Sequence, residues 1–261
     1  MTQAAAKAAA KIAAIHRYPV KGLSPQPLQR AALTAGQTIL CDRIYAIENG
    51  PCGFDPAAPA YLPKQRFLML MRNARLAELR TDFDAATHTL AVSAEGREAA
   101  RGDLRTAEGR AAIERFIAQF CASDLRGPPK LLHAAGHSFS DVAKKVVSIV
   151  NLASVAALEN ALGAPVNPLR FRGNLYVKGW PAWREFDLID RTLAIGPSAW
   201  LKIVKRIVRC AATEVDPATG IRDLEIPRTL MKAFGHADCG VYAEVIEAGE
   251  IAVGDRVAVV C

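Results

Sequence analysis

The sequence has no apolar run long enough to cross a membrane as a helix. Its longest weakly charged stretch, Val146 to Leu158, is interrupted by serine and asparagine and falls short of the about 20 apolar residues that a spanning helix needs. The N-terminal residues MTQAAAKAAAK also lack the apolar core of a secretory signal. From these absences we expect a cytoplasmic protein that has no membrane partner.

Several common functional motifs are missing as well. The six cysteines include no C-x-x-C pair, and the chain contains no G-x-G-x-x-G, G-x-x-x-x-G-K-[ST], H-E-x-x-H or G-x-S-x-G. The scattered cysteines predict reduced thiols rather than a disulfide framework. His133 and His137 have the spacing of a helical metal pair, but Gly136 and the missing glutamate favour two loop histidines. We assign no function to Cys41, Cys52, Cys121 and Cys261.

Acidic residues are outnumbered by basic ones. Lys and Arg number 33 against 26 Asp and Glu, and the net charge of +7 predicts an anionic partner: nucleic acid, acidic lipid or a phosphorylated small molecule. Aromatic residues make up only 7% and do not alternate with the bases, which argues against stacking on single-stranded nucleic acid. The hydrophobic share of 51% predicts a folded chain with a buried core.

Short β-branched runs separated by Gly, Pro, Asp or Asn predict an α+β fold that is mainly β, either a barrel or a pair of packed sheets with a few short helices. Helices are predicted over 106–121, from an Asn151 cap to Gly163, and from Pro227 to Phe234. The proline-rich segment 49–63 is predicted to be a surface loop. The predicted strands are 11–18, 28–33, 43–48, 67–71, 76–80, 89–92, 175–177, 192–195, 200–208, 241–246 and 256–260.

A domain boundary is predicted at the Gly127-Pro128-Pro129 sequence. It follows the helix that ends near residue 121 and precedes a second group of short strands. We therefore expect a flexible N-terminal tail over residues 1–11, a β-rich domain over 12–125 and a second domain over 126–261.

The segment 202–210, KIVKRIVRC, has the strongest chemical signal in the sequence. It carries four bases and no acid, and it ends on a cysteine. Neighbouring positive charges such as Arg206 and Arg209 favour the thiolate form of Cys210, which would then act as a nucleophile or a soft metal ligand. From spacing alone, a strand with solvated bases and a small buried Cys210 is the favoured interpretation.

Two further basic clusters suit planar or anionic ligands. The first is Arg170-Phe-Arg-Gly-Asn174, whose arginine forks and amide match a phosphate or the edge of a pterin. The second is Lys144-Lys145. Taken singly, such clusters are usually solvated surface.

Together these residues resemble the MOSC family, the domain found at the C-terminus of molybdenum cofactor sulfurases and in the mitochondrial amidoxime-reducing component. The resemblance covers Ile12 to Val260 in the order of the family motifs. It implies a MOSC-type β-barrel with a few short helices, preceded by a β-rich MOSC N-terminal domain. The motifs that carry it are YPVKGLS at 18–24, CDR at 41–43, KQRFLMLMR at 64–72, RFRGN at 170–174, RCAATEVDPATG at 209–220 and GVY at 240–242.

The resemblance implies a site for the molybdenum cofactor, Mo-molybdopterin. By similarity, Cys210 of the R-C-x-x-T-x-V-D-P pattern is both the metal ligand and the catalytic residue. Contacts to the pterin and its phosphate are implied for Lys21, Arg43, Lys144, Lys145, Arg172, Asn174 and Arg209. The family pattern R-P-N reads Arg172-Gly173-Asn174 here, and we expect the missing proline to loosen this loop.

The implied activity is that of an oxidoreductase, independent of pyridoxal phosphate, which removes oxygen from N-hydroxylated or related N-oxygenated small molecules. The chain contains no cysteine cluster to hold iron, so electrons are expected from a separate reductase, flavoprotein or small haem protein. One alternative is a sulfur carrier or cofactor-handling protein that uses a Cys210 persulfide. A second alternative, which the low aromatic content disfavours, is a basic module that binds nucleic acid.

The segment His236-Ala-Asp238-Cys239 lies just before the GVY match and has two interpretations. A histidine, an acid and a thiol within four residues could form a proton relay or a second redox thiol. Alternatively, Cys239 packs at the start of a strand and His236 caps the preceding helix.

Overall fold

The computed structural model describes residues 9–260, which form a mainly β structure with three α-helices. The helices are α1 (Ala107–Phe120), α2 (Leu152–Leu162) and α3 (Ile226–Phe234). The strands are β1 (Lys11–Arg17), β2 (Gln26–Leu28), β3 (Arg30–Leu33), β4 (Tyr45–Asn49), β5 (Arg80–Asp84), β6 (Thr89–Ala94), β7 (Arg97–Asp103), β8 (Pro129–His133), β9 (Val147–Asn151), β10 (Leu175–Lys178), β11 (Thr192–Ile195), β12 (Ala199–Val208), β13 (Asp238–Glu247), β14 (Gly249–Ala252) and β15 (Val257–Val260).

The largest sheet has eight strands in the order β15-β11-β12-β13-β9-β10-β1-β2. All neighbours in it are antiparallel except β9 and β10, which are parallel and are connected through α2. The sheet curls until β1 meets the residues that precede β15. At this junction Lys11 forms a β-bridge with Arg256, and the Val257 amide donates to the Ala10 carbonyl at 2.8 Å.

Alternation along the strands places one face of this sheet in the core. In β12, Ala199, Leu201 and Ile203 are buried, whereas Trp200 and Lys202 between them are exposed. In β13, Val241, Ala243 and Val245 point into the same core. The period-two burial pattern explains why these strands leave their polar side chains on the outside.

Strands from both sides of the predicted domain boundary pair with one another. Strand β1 pairs with β10, β3 pairs with β14, and β4 pairs with β8. Strands β5, β6 and β7 form a separate three-stranded sheet, and α1 lies against β7 and β8. The division into domains at residue 125 stays a prediction, but the sheets themselves join the two parts of the chain.

The predicted flexible tail, residues 1–11, extends too far along the chain. Strand β1 begins at Lys11, and Ala10 is buried in the core. Residues 1–8 of the tail lie outside the described part of the chain. Because Ala10 packs under the sheet junction, residues 10 and 11 belong to the folded body.

The predicted helix ends agree with the structure. The Thr106 side chain accepts the amide of Gly109 at the start of α1, and the Asn151 side chain accepts the amide of Ala153 at the start of α2. Helix α2 ends at Gly163 in the left-handed conformation (φ +68°). Helix α3 begins at Ile226, one residue before the predicted start, and ends at Phe234.

Two predicted strands are wrong. Residues 67–71 form no strand, and only Phe67 makes an isolated bridge, to Glu48. Residues 74–78 form a 3₁₀ helix, and β5 begins afterwards at Arg80. The apolar side chains of both segments are buried although the backbone is not in a strand. A short apolar run in the sequence looks the same in both situations.

The loop prediction for the proline-rich segment is confirmed, since residues 50–63 form neither helix nor strand. Within residues 9–260, no helix combines the length and the apolar character needed to traverse a bilayer.

Candidate functional site

A cavity of about 340 Å³ opens beside the end of strand β12. Its lining brings together segments that are distant in the sequence, from the first turns of the chain to β13. Its charged and thiol groups include Lys21, Arg43, Lys64, Arg172, Lys205 and Cys210. Residues from several of the motifs identified in the sequence line this cavity.

Cys210 follows the last residues of β12 and lies half-buried in the cavity wall. Its backbone is extended, and a 3₁₀ turn, Ala211–Glu214, begins directly after it. The Thr213 amide and hydroxyl both donate to the Cys210 carbonyl, at 3.0 and 2.9 Å. The turn therefore fixes the backbone of Cys210 while its sulfur stays open to the cavity.

A lysine from the other part of the chain contacts the Cys210 sulfur. Lys64 lies on the 3₁₀ turn Lys64–Arg66, and its Nζ donates to the Cys210 Sγ at 3.2 Å. Burial alone lowers the pKa of Lys64, but the charge of Asp141 and the contact with Cys210 outweigh it and raise this pKa overall. A protonated ammonium therefore faces the sulfur.

The arginines expected beside the thiol make other contacts. The Arg209 guanidinium donates to the carbonyls of Cys239 and Phe171, at 2.7 and 2.8 Å. The Arg206 guanidinium lies 4.3 Å from the centre of the Phe186 ring. Both residues line the cavity, but their charged groups hold neighbouring segments together.

Arg43 and Arg172 meet at another part of the cavity wall. The Arg43 Nη2 donates to the Arg172 carbonyl at 3.1 Å, and its Nη1 pairs with the buried carboxylate of Asp42. Burial lowers the pKa of Arg43, but the Asp42 charge more than offsets it and raises this pKa overall. Arg43 is thus a neutralised cation, fixed in place by its own neighbour in the sequence.

The Arg172 guanidinium differs from Arg43 because no acceptor within residues 9–260 hydrogen bonds to it or pairs with it. Burial lowers its pKa, and the charge of Arg43 acts in the same direction. A cation that faces a cavity without a counterion is well suited to bind an anion that enters that cavity.

Lys21 is a buried lysine paired with Asp141. Its Nζ donates to the Phe139 carbonyl at 2.8 Å and to the Asp141 carboxylate. Burial lowers the pKa of Lys21, whereas the charge of Lys21 outweighs burial and lowers the pKa of Asp141. Among the described residues that line the cavity, Asp141 is the one acid, so the cavity as a whole is strongly positive.

Comparison with protein families matches almost the whole described chain. Residues 9–141 match the MOSC N-terminal beta barrel domain, and residues 134–258 match the MOSC domain. The chain belongs to the MOSC family. The resemblance drawn from the motifs and the mainly β fold are both confirmed by these matches.

Two curated relatives of this MOSC chain are named mitochondrial amidoxime reducing component 2, from Bos taurus and from Rattus norvegicus. Each is 32% identical over 42% of this chain, and the match covers 36% of the length of each relative. Among solved structures, the YUAD protein of Bacillus subtilis aligns with a TM-score of 0.45 and 13% identity, over 95% of this chain and 93% of that one. YiiM of Geobacillus stearothermophilus aligns with a TM-score of 0.35 and 18% identity, over 44% of this chain and 54% of that one.

In this MOSC chain, Asn174 lines the cavity, but its amide is already bonded. Its Oδ1 accepts the backbone amide and the hydroxyl of Ser148, at 3.0 and 2.8 Å, and its Nδ2 donates to the His16 carbonyl at 3.1 Å. The side chain therefore ties β9, β10 and β1 together. These bonds hold this part of the cavity wall in place.

Lys144 and Lys145 do not line the cavity. The Lys144 Nζ pairs with Glu244 at 2.6 Å, and the Lys145 Nζ donates to Gln37 at 2.6 Å. The predicted contacts of these two lysines with a cofactor therefore have no support from their placement, and we leave them out of the proposed site. Their position in the sequence beside β9 did not reveal which way the side chains turn.

Arg170 and Arg222 hold the loop after Cys210, a role that the sequence did not reveal. The buried Arg170 guanidinium donates to the Glu214 carbonyl at 2.9 Å and pairs with Asp216 and Asp223, at 3.0 and 2.7 Å. Arg222 donates to the Ala211 carbonyl at 2.6 Å and also reaches the Leu70 carbonyl at 2.9 Å. The sequence feature that could have indicated this role is the presence of a base, Arg170, in one motif and of acids, Asp216 and Asp223, in or just after another motif.

Gly173 does not loosen its loop as expected. Its amide donates to the Tyr176 hydroxyl at 3.1 Å. A Cβ at this position would lie 2.7 Å from the Val150 Cγ2. The hydrogen bond needs an N–H that proline lacks, and the close contact leaves no room for a ring, so glycine fits this loop tightly.

His236 and Cys239 lie outside the cavity lining. The His236 Nδ1 accepts the Asp238 amide at 3.1 Å, and its ring packs edge-on against Trp183 at 5.1 Å. Cys239 is buried, and burial raises its pKa to about 12. The packing interpretation is therefore right for Cys239, which is buried at the start of β13, where a thiol held protonated is neither exposed nor nucleophilic. It is wrong for His236, because Gly235 and not His236 caps α3.

Proposed function

We propose that this chain binds the molybdenum cofactor and reduces N-hydroxylated or related N-oxygenated small molecules. The observation that carries the proposal is that the Cys210 sulfur and the unpaired Arg172 guanidinium face one cavity of about 340 Å³. Membership of the MOSC family and partial similarity to amidoxime reducing components support the same reaction class.

The residues present fit the cofactor chemically. A thiolate is a soft ligand that suits a metal already bound through sulfur, and Cys210 provides a half-buried thiol that lines the cavity. A phosphate dianion requires fixed cations without competing counterions, which Arg172 provides beside Arg43. Lys205 adds a cavity-lining cation with no ion pair within residues 9–260.

The cofactor, when bound, supplies the two-electron oxygen-atom chemistry. Lys64 places an ammonium against the Cys210 sulfur, and Lys21 pairs with Asp141 in the cavity lining. Conversion of an N-hydroxyl group to an N–H group consumes two electrons and two protons and releases one water. The electrons are proposed to come from a separate reductase, flavoprotein or small haem protein.

The test compares Cys210→Ala with Cys52→Ala, which alters a buried cysteine outside the cavity. Both proteins are made in a host that synthesises the cofactor, and molybdenum, oxidised pterin fluorescence and reduction of an N-hydroxylated amidine are measured. We expect Cys210→Ala to lose turnover while Cys52→Ala keeps it. Full turnover in Cys210→Ala would remove this residue from the reaction.

The contact between Lys64 and Cys210 also fits a second function, that of a sulfur carrier. An ammonium at 3.2 Å would stabilise a persulfide as it stabilises a thiolate. Mass spectrometry of the freshly purified protein separates the two proposals. A persulfide on Cys210 in protein that never contains molybdenum would favour the carrier.

A further inference from the structure

Tyr18 contacts Arg43 and Arg172, two of the arginines that line the cavity. The Cζ atoms of Arg43 and Arg172 lie 4.8 and 4.3 Å from the centre of its ring. The ring is fully buried, and Tyr18 is not itself part of the cavity lining. Any effect of Tyr18 on the cavity is therefore indirect, through the residues that it contacts.

Both arginines have backbone conformations that are unusual for residues with side chains. Their φ angles are +53° for Arg43 and +49° for Arg172, in the left-handed region. Such conformations persist where the surrounding contacts hold them. Two arginines in this region, both directed at one aromatic ring, indicate that their side chains are held to a definite arrangement.

Hydrogen bonds connect Tyr18 to the segment around each arginine. The Arg43 amide donates to the Tyr18 carbonyl at 2.7 Å, and the Tyr18 amide donates to Asp42 at 2.8 Å. On the other side, the Tyr18 hydroxyl donates to the Gly173 carbonyl at 3.4 Å, next to Arg172. The same residue thus joins the Arg43 turn to the Arg172 turn.

Two neighbouring guanidinium groups repel each other, and of these two only Arg43 has a carboxylate partner in the described part of the chain. The electron-rich face of an aromatic ring attracts cations, so the Tyr18 ring offsets part of this repulsion. We propose that Tyr18 is a positioning residue that holds Arg43 and Arg172 close together so that both can bind one phosphate group. This inference rests on the anion-binding part of the proposed function and adds a residue to it.

The test measures binding of inorganic phosphate to the metal-free protein by calorimetry at low ionic strength. Tyr18→Phe keeps the ring and is expected to bind phosphate within about twofold of the wild type. Tyr18→Leu removes the ring and is expected to bind about fivefold more weakly or worse. Circular dichroism and thermal unfolding show which variants are folded.

A matched aromatic variant keeps the test decisive if Tyr18→Leu does not fold. Tyr18→trifluorophenylalanine has nearly the shape of Tyr18→Phe but a ring face that attracts cations much less. We expect it to bind phosphate more weakly than Tyr18→Phe at similar thermal stability. A residue that only fills the core would change the unfolding temperature and leave the phosphate affinity of the folded protein unaltered.

Equal phosphate affinity in the phenylalanine and trifluorophenylalanine variants would overturn the inference. A wild-type protein without measurable phosphate affinity would overturn it too, because no anion site would exist for Tyr18 to organise. Ring-dependent phosphate binding in a chain that never carries molybdenum would support the role of Tyr18 and contradict the proposed redox reaction. The two proposals therefore fail separately.

Discussion

The Lys64 Nζ lies 3.2 Å from the Cys210 sulfur, although the two residues are 146 positions apart in the chain. The lysine comes from the segment that follows the proline-rich loop, and the cysteine comes from the end of β12. Their contact joins the two parts of the molecule at the point where chemistry is proposed. It also replaces the expected contact with the neighbouring arginines.

Removing this lysine is expected to slow alkylation of Cys210. The thiolate is the reactive form of cysteine, and a positive charge in contact with the sulfur stabilises it. We expect Lys64→Gln to slow modification by iodoacetamide about threefold or more in the metal-free protein at neutral pH, and Lys64→Arg to retain most of the rate. Peptide mapping by mass spectrometry follows Cys210 alone.

Lys205→Gln is the matched control for that measurement, since it removes another cavity-lining base that does not hydrogen bond to the sulfur. A rate in Lys64→Gln equal to that of the wild type would show that the contact has no electrostatic effect.

Substitution of Arg172 is expected to weaken anion binding, whereas substitution of Arg209 is expected to lower the free energy of unfolding. Arg172→Gln removes a guanidinium without a protein acceptor, so it should leave stability within about 0.5 kcal/mol and weaken phosphate and pterin retention. Arg209→Gln removes hydrogen bonds to two carbonyls and should cost about 1–3 kcal/mol of unfolding free energy. Urea unfolding and phosphate titration of both variants test this, and unchanged phosphate affinity in Arg172→Gln would contradict it.

Proline at position 173 is expected to destabilise this chain, although the family pattern has proline there. Gly173→Pro removes the hydrogen bond to Tyr176 and places ring atoms against Val150. We expect a loss of about 2–4 kcal/mol, and a smaller loss in Gly173→Ala, which keeps the N–H. Thermal unfolding of the two variants measures the difference, and a more stable Gly173→Pro would refute this reading of the loop.

Pairing with Lys21 makes Asp141 a source of pH-dependent stability. The folded pKa of Asp141 lies below its unfolded value, so the pair stabilises the protein above about pH 4 and stops doing so as pH falls through the folded pKa. Because Asp141 is half-exposed, Asp141→Asn should cost only about 1–2 kcal/mol at pH 7. The gap to the wild type should narrow below pH 4 in denaturant titrations, and a constant gap would exclude this coupling.

Local features were accessible from the sequence because their causes are local. The caps at Thr106 and Asn151 and the left-handed end at Gly163 depend on residues within one helical turn, and the structure confirms them. The strands β12 and β13 follow from alternation, which reports a buried face. The same reasoning gave a wrong strand at residues 67–71, because these residues are buried by packing against distant elements and not by pairing in a β-sheet.

The sequence by itself determined the family, through motifs spread over the chain, and with the family the mainly β fold. It also indicated Cys210, Arg43 and Arg172 as candidate site residues. Only the tertiary structure decided the partners of each charge: that Lys64 contacts the sulfur, that Lys144 and Lys145 turn outward, and that Asn174 supports the wall. Side-chain direction at such positions depends on contacts with residues more than 20 positions away, and neither spacing nor composition records those contacts.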